Sequence, residues 1–270
     1  MISFKRIFDF YLRSSIHVAL SVYALVRMTH FMFHISTDQA MANFAFFGTI
    51  VGYNFVKYDA LARAQKKQMR NELKIIAVLS FFSLAGVGYY FFQLQLITQL
   101  VSIGVLALTL LYTLPFFPNR RNARNWAGVK IYIVALCWVG VTLVLPLVNA
   151  HIDLGLDFYL KCIQRFILVF VLILIFEILD LANDDPHLQT VPQQIGVKKT
   201  KIVGLLLLLP FYFLEFLKTN FIEEQLIVNL VLVVALSLFL ILANEKRSRY
   251  YTSFWVESIP VFWWLMVVFF

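Results

Sequence analysis

Four carboxylates stand together directly after an unbroken apolar run. Residues 166–176 read FILVFVLILIF, and Glu177, Asp180, Asp184 and Asp185 follow. On a helix, positions 177, 180 and 184 share one face because their spacing is i, i+3, i+7. Mg²⁺ relieves repulsion between such carboxylates, prefers oxygen ligands and commonly bridges carboxylates to substrate phosphates. The pattern predicts a magnesium site; the alternative is a solvated acidic helix end.

A second polar group closes another apolar segment, where residues 52–59 read GYNFVKYD. Asn54 offers an oxygen ligand, Lys57 can meet a phosphate, and Asp59 adds an acid. Asn54 and Asp59 are five positions apart, so they do not share a helical face. The alternative is an interfacial anchor, since Tyr and Lys favour the headgroup level of a membrane.

Two basic segments offer further phosphate ligands. Pro115 and Pro118 break a helix just before Arg120 and Arg121. Arginine suits bidentate phosphate binding; the alternative is that this cluster only anchors the topology.

The second basic segment, residues 189–200, reads QTVPQQIGVKKT and contains Lys198. Pro192 and Gly196 predict a turn, and Thr200 is expected to cap the helix that follows.

The composition predicts the elements that position these groups. Hydrophobic residues make up 61% of the 270 residues and charged residues 14%, whereas an ordinary soluble domain is about a quarter charged. A bilayer core about 30 Å thick requires roughly 20 apolar residues per helix. We therefore predict a polytopic all-α membrane protein that forms a single domain over residues 1–270. Its apolar segments are 15–34, 41–57, 73–92, 95–116, 126–148, 158–182, 201–217, 225–243 and 252–270.

Basic and non-basic loops alternate along this chain. Lys and Arg cluster in the N-terminal arm and in the second, fourth, sixth and eighth loops. The positive-inside rule then predicts a cytoplasmic N-terminus and an outside C-terminus, which requires an odd number of spans. Nine spans satisfy this requirement. As a multi-pass integral membrane protein, the chain is expected in a plasma or inner membrane. The net charge of +8 is explained by these loops, so no nucleic-acid partner is expected.

Other chemistries find little support in the sequence. No nucleophile triad, phosphate-cradling Gly-rich loop or His/Cys metal set is present, and Cys137 and Cys162 are interpreted as buried hydrophobes. Arg27, Arg165 and Glu257 fall within apolar segments and leave a transporter or channel as an alternative. For Glu257, helix packing is the competing interpretation.

These motifs, taken in order, resemble the UbiA superfamily of intramembrane prenyltransferases. The segment from Asn54 is similar to the first Asn/Asp-rich motif of that family, and Asp180-Leu-Ala-Asn-Asp184 to its Asp-x-x-x-Asp motif. The stretch QTVPQQIGV resembles a Thr-Leu-Pro…Leu-Gly segment. Tyr112, with the prolines and arginines that follow it, resembles a Tyr-Pro…Lys-Arg segment.

The resemblance implies a helical bundle around a central cavity, in which Mg²⁺ holds a prenyl diphosphate. Ionisation of that diphosphate yields an allylic cation, which a lipid-soluble acceptor, such as an aromatic one, attacks. The implied residues are Asp180 and Asp184 as catalytic; Asn54, Asp59, Glu177, Asp180 and Asp184 as metal ligands; and Lys57, Arg120, Arg121 and Lys198 as diphosphate ligands.

One departure from the family pattern leaves a second function open. The family places an Asp four residues after its Asn, but here that position is Tyr58, and Asp59 follows. The next acid, expected near position 63, is replaced by Arg63. The alternative is therefore a catalytically altered homologue that binds an isoprenoid within the membrane.

Overall fold

The structure is a computed structural model that describes residues 4–64, 71–113, 128–182, 184, 188–219 and 223–269, with the side chains of 59–64 and 111–113 excepted. Throughout this part of the chain the secondary structure is helical, with no strand. The helices are α1 Phe4–Arg13, α2 Ile16–Met32, α3 Gln39–Ala64, α4 Asn71–Phe91, α5 Leu96–Thr113, α6 Val129–Asn149, α7 Leu156–Asp180, α8 Val191–Leu217, α9 Glu223–Leu242 and α10 Tyr251–Phe269.

Six of these helices, α4 and α6 to α10, are long and apolar enough to cross a membrane. Shorter apolar stretches lie in α2 and in α5. Helices satisfy all their backbone hydrogen bonds internally, as a lipid environment requires. The chain is therefore an integral membrane protein of the all-α class. The count of nine spans remains a prediction.

One helix was not predicted, and one expectation about helix bounds is wrong. The N-terminal arm is itself a helix, α1. Helix α8 begins at Val191 rather than near position 201, so Thr200 does not cap it; its hydroxyl donates instead to the Gly196 carbonyl at 2.9 Å. Pro192 is tolerated because the first turn has no partner for its missing N–H. Gly196, at φ 80° and ψ 154°, is not helical and divides α8 into two helical segments that meet at a kink.

Helix α7 lies at the centre of the bundle and packs against α6 and α8. Its Arg165 is buried, donates to Thr142 Oγ1 at 3.0 Å, and lies 5.4 Å from the ring centroid of Trp263. The guanidinium thus ties α7 to α6 and α10. These packing contacts favour a structural role for Arg165 over a transport role.

One end of the bundle collects the helix termini that carry the predicted site. Lys201 of α8 donates to the Ile241 carbonyl of α9 at 2.7 Å, and Tyr58 of α3 donates to the Arg13 carbonyl of α1 at 2.9 Å. Helix α1 also pairs with the start of α10, through Asp9 and Arg249. We call this end of the molecule the site end.

Candidate functional site

At the site end, the last turn of α7 presents Glu177 and Asp180. Glu177 is 3% exposed, and its Oε2 accepts the backbone N–H of Val191, the first residue of α8, at 3.1 Å. Asp180 is exposed, and its carbonyl accepts the backbone N–H of Asp184 at 2.9 Å. The chain therefore continues to turn beyond the helix, and Asp184 stays beside the other two acids.

The three carboxylates are close enough to interact electrostatically. Asp180 and Asp184 both act on Glu177, and Asp184 also acts on Asp180. Lys130, at the start of α6, attracts Glu177 and Asp180. Sequence reasoning missed Lys130, although its position within the first turns of the predicted apolar segment 126–148 placed it at the same membrane face.

The end of α3 carries the other predicted ligands. Asn54 is 4% exposed and donates through Nδ2 to Ser80 Oγ at 3.0 Å. Lys57 donates to Ser15 Oγ at 3.2 Å, and its Nζ lies 5.7 Å from the ring centroid of Tyr53. Glu257 of α10 also attracts Lys57 electrostatically. Asp59 lies on α3, and its side chain is outside the described part of the structure.

Helix α6 links the two motif-bearing helices. Its Lys130 faces the acids at the end of α7. Trp138, further along the same helix, donates from Nε1 to the Tyr53 hydroxyl of α3 at 2.7 Å. Tyr53 precedes Asn54 directly, so α6 contacts the immediate surroundings of both predicted ligand groups.

The remaining phosphate candidates are only partly placed. Arg120 and Arg121 lie outside the described residues. Lys198 is exposed on α8, two positions after the bend at Gly196. It therefore lies at the site end, near the start of α8, with no contact to the acids described above.

The donor atoms suit a divalent cation in one respect. Asn54 Oδ1 and Asp184 Oδ2 are both buried, and neither accepts a hydrogen bond from any described residue. Buried oxygen acceptors are normally satisfied, and oxygens of this kind are the ligands that Mg²⁺ prefers. Within the described residues, however, no three His, Cys, Asp or Glu side chains converge tightly enough to hold a metal by themselves. Asn183, Asp185 and the Asp59 side chain fall outside that set.

A cavity of about 350 Å³ lies at the opposite end of the bundle. Its wall includes His34, Asp153, Asp157, Lys161 and Lys218. None of the predicted site residues lines it. This cavity is therefore separate from the candidate site.

Comparison with known proteins gives a match in structure alone. No family model and no curated protein matches the sequence. A UbiA homolog from Aeropyrum pernix K1 superposes with a TM-score of 0.66 at 14% identity, over 93% of this chain and 95% of that one. A UbiA homolog from Archaeoglobus fulgidus bound to DMAPP and Mg²⁺ gives 0.64 at 13% identity, over 96% and 97%.

A third structure, described as a digeranylgeranylglyceryl phosphate synthase in membranes, gives a TM-score of 0.59 at 12% identity, over 98% of this chain and 96% of that one. These superpositions cover nearly the whole length of every chain compared. They show that this chain shares the helical fold of these proteins. Its fold is the UbiA fold, which confirms the resemblance at the level of the architecture.

Proposed function

We propose that this protein is an intramembrane prenyltransferase that moves a prenyl group from a prenyl diphosphate to a lipid-soluble acceptor, with Mg²⁺ as cofactor. The observation that carries the proposal is that each motif holds one buried oxygen that accepts no hydrogen bond from a described residue, Asn54 Oδ1 in the first and Asp184 Oδ2 in the second. They belong to the two motifs that resemble those of the family. The UbiA fold supports the assignment, because UbiA homologs have been solved with DMAPP or GPP and Mg²⁺.

In this proposal the acids at the site end hold the metal. Asp180 and Asp184, with Glu177 behind them, supply one set of oxygens, and Asn54 and Asp59 supply the other. When bound, Mg²⁺ would neutralise the charge that develops on the departing diphosphate. The bond between the prenyl carbon and the diphosphate oxygen breaks, the acceptor forms a bond to that carbon, and the acceptor loses a proton.

The cationic residues would hold the diphosphate. Lys57 lies one helical turn after Asn54 and is tethered to Ser15, which orients its ammonium group. Arg120, Arg121 and Lys198 complete the proposed set of ligands. We also propose that the N-terminus is cytoplasmic, that the C-terminus is outside, and that residues 1–270 form one domain of nine spans.

The test uses the full-length protein, purified in detergent or nanodiscs. Diphosphate release from geranyl diphosphate, with water as the acceptor of the geranyl group, is measured with Mg²⁺ and with EDTA for the wild type, Asp180→Ala and Asp184→Ala. We expect diphosphate release with Mg²⁺ but none with EDTA. In both variants the rate of release should fall by at least about 100-fold, which is the scale of removing one electrostatic contact to the transition state. Lys199→Ala, an exposed lysine at the same end, is the matched control. Unchanged activity in both aspartate variants would reject the site.

A second candidate function is isoprenoid binding without turnover. Tyr58 occupies the position where the family pattern places an acid, and its hydroxyl donates to the Arg13 carbonyl at 2.9 Å. The Tyr58 side chain thus joins α3 to α1. Because Tyr58 stands in place of an acid, the first motif lacks one carboxylate. This candidate predicts binding of geranyl diphosphate, measured by tryptophan fluorescence, with no diphosphate released. Any Mg²⁺-dependent release that Asp184→Ala abolishes would eliminate it.

A further inference from the structure

Helix α1 is too short to cross a membrane. Its 10 residues, Phe4–Arg13, span about 15 Å at 1.5 Å per residue, roughly half of a bilayer core. Ser15 follows with φ 63°, a left-handed conformation that separates α1 from α2. Helix α1 is therefore an element of the membrane surface rather than an extension of the first span.

The sequence of α1 separates apolar and charged side chains. Phe4, Ile7, Phe8 and Tyr11 follow the spacing i, i+3, i+4, i+7 and so share one face. On the other side, Lys5, Asp9 and Arg13 recur every fourth residue, and Arg6 lies beside them. A short helix with basic residues on one side and aromatic residues on the other is typical of elements that lie in a membrane interface.

The second half of α1 is fastened to the bundle. Asp9 Oδ1 accepts from Arg249 Nη2 at 2.5 Å and from the Tyr250 hydroxyl at 2.7 Å. Tyr11 and His17 are joined by a hydrogen bond of 2.7 Å. Arg13 pairs with Glu72 at 3.0 Å. These contacts tie α1 to α2, α4 and α10 and fix its position at the site end.

The first half of α1 is uncovered. Phe4 is 83% exposed and Ile7 is 57% exposed. Lys5 and Arg6, between them, are exposed as well. Within the described chain, neither basic group has an acidic partner, in contrast to Arg13 and Arg249. Two apolar and two basic side chains are thus held outward by an anchored helix.

We propose that Phe4–Ile7 is a docking surface for anionic lipids. Phe4 and Ile7 enter the boundary between headgroups and acyl chains, and Lys5 and Arg6 bind lipid phosphates. Charge complementarity selects this occupant, because anionic headgroups attract basic segments at the membrane surface within a Debye length. The proposal is independent of the enzymatic function, since it concerns neither the acids nor the substrate.

The test reconstitutes the full-length protein in nanodiscs of phosphatidylcholine, with and without added phosphatidylglycerol. Amide hydrogen exchange of the peptide covering α1 is measured by mass spectrometry in both. We expect exchange to be several-fold slower with phosphatidylglycerol and this difference to shrink at high salt. The doubly substituted Lys5→Ser/Arg6→Ser protein should lose the difference. Phe4→Ser/Ile7→Ser should exchange fast in both lipids.

Lys199→Ser/Lys246→Ser is the matched control, because it removes two exposed positive charges from α8 and from the α9–α10 connection at the same end of the bundle. That protein should keep the full lipid difference. Equal wild-type exchange in the two lipids would overturn the proposal. So would an equal loss in the control, since the effect would then follow total charge rather than α1, and so would slow exchange retained by Phe4→Ser/Ile7→Ser.

Discussion

Lys161 and Glu215 form an ion pair inside the bundle, with 2.8 Å between Nζ and Oε2 and side-chain exposures of 3% and 0%. The other oxygen of Glu215 accepts from Lys218, also at 2.8 Å. The amides of Gln164 and Asn229 each donate to Oε2 at 3.0 Å. A single carboxylate therefore organises two cations and two amides from α7, α9 and the segment that follows α8.

This arrangement predicts unequal effects of removing its members. Glu215→Gln leaves two buried ammonium groups without a carboxylate, which we expect to cost about 3–5 kcal/mol of unfolding free energy. Lys161→Met should cost less, because Lys218 and both amides still satisfy the acid. Unfolding in mixed micelles measures the two values. Lys199→Met, on the exposed face of α8, should change the free energy by less than about 0.5 kcal/mol. An equal or reversed order of the first two would contradict the prediction.

Close packing between α8 and α9 predicts a glycine-specific defect. A Cβ atom on Gly204 would lie 2.5 Å from Leu240 Cδ2 and 3.4 Å from Leu174 Cδ1, and both leucines are fully buried. Gly204→Val should therefore destabilise the fold by about 1–3 kcal/mol through overpacking. Gly104→Val is the matched control, since a Cβ there meets nothing within 4 Å. Similar melting temperatures for the two variants would show that the helices can separate without cost.

A conservative substitution can separate the structural role of Glu177, its hydrogen bond to Val191, from its proposed role as a metal ligand. Glu177→Gln keeps an oxygen that can accept the Val191 N–H bond but removes the negative charge. If the proposed metal site is correct, this variant should fold like the wild type and require at least several-fold more Mg²⁺ for half-maximal diphosphate release. Glu177→Ala should lose both stability and activity. Wild-type Mg²⁺ dependence in Glu177→Gln would assign this residue to the helix junction alone.

The contacts of Asp9 predict that the attachment of α1 to the bundle depends on pH. A hydrogen bond from the Tyr250 hydroxyl, together with the nearby Arg249, holds the pKa of this carboxyl below its ordinary value. A depressed pKa means that the ionised form stabilises the folded state, so this stability is present above about pH 4 and is lost as the pH falls through the lowered pKa. Exchange of α1 amides, corrected for intrinsic rates, should accelerate over that interval.

Two variants test the origin of this effect. Tyr250→Phe removes the largest contribution to the lowered pKa, so acid release of α1 should begin at a higher pH. Asp9→Asn should exchange faster at neutral pH and show no acid transition of its own. If Asp9→Asn keeps the wild-type transition, another group is responsible for it.

The sequence predicted the helical class and the approximate positions of the long helices well, because apolar runs near 20 residues long have few alternatives in a membrane. It also predicted that Asp180 and Asp184 lie at the end of a helix, since their spacing and the preceding apolar run are both local signals. Helix α1 was missed for a physical reason: it is too short to span, so hydropathy alone does not reveal it. Its amphipathic spacing was the available signal.

Longer-range features were beyond sequence reasoning. Lys161 and Glu215 are separated by 54 positions, and nothing local marks one as the partner of the other. The same is true of Lys130, which meets the α7 acids only through tertiary packing. The start of α8 was misplaced because Pro192 and Gly196 favour a turn locally. The fold admits the proline in the first turn of α8, and the helix is interrupted at the glycine, where the chain kinks.

The π-helical segment Gly140–Val144 within α6 determines the direction in which the side chains after it, Leu145–Asn149, project from the helix axis. A π turn holds one residue more than an α turn allows, and each residue rotates the helix by about 100°. The final turn places Asn149 where its side chain donates to Asp38 at 2.6 Å and accepts from the Gln95 backbone at 2.9 Å. Deleting one residue from the π segment would turn Asn149 away from Asp38, in the loop between α2 and α3, and from Gln95, in the loop between α4 and α5. The extra residue of the π segment thus sets the direction in which Asn149 points and allows it to join the loops that contain Asp38 and Gln95.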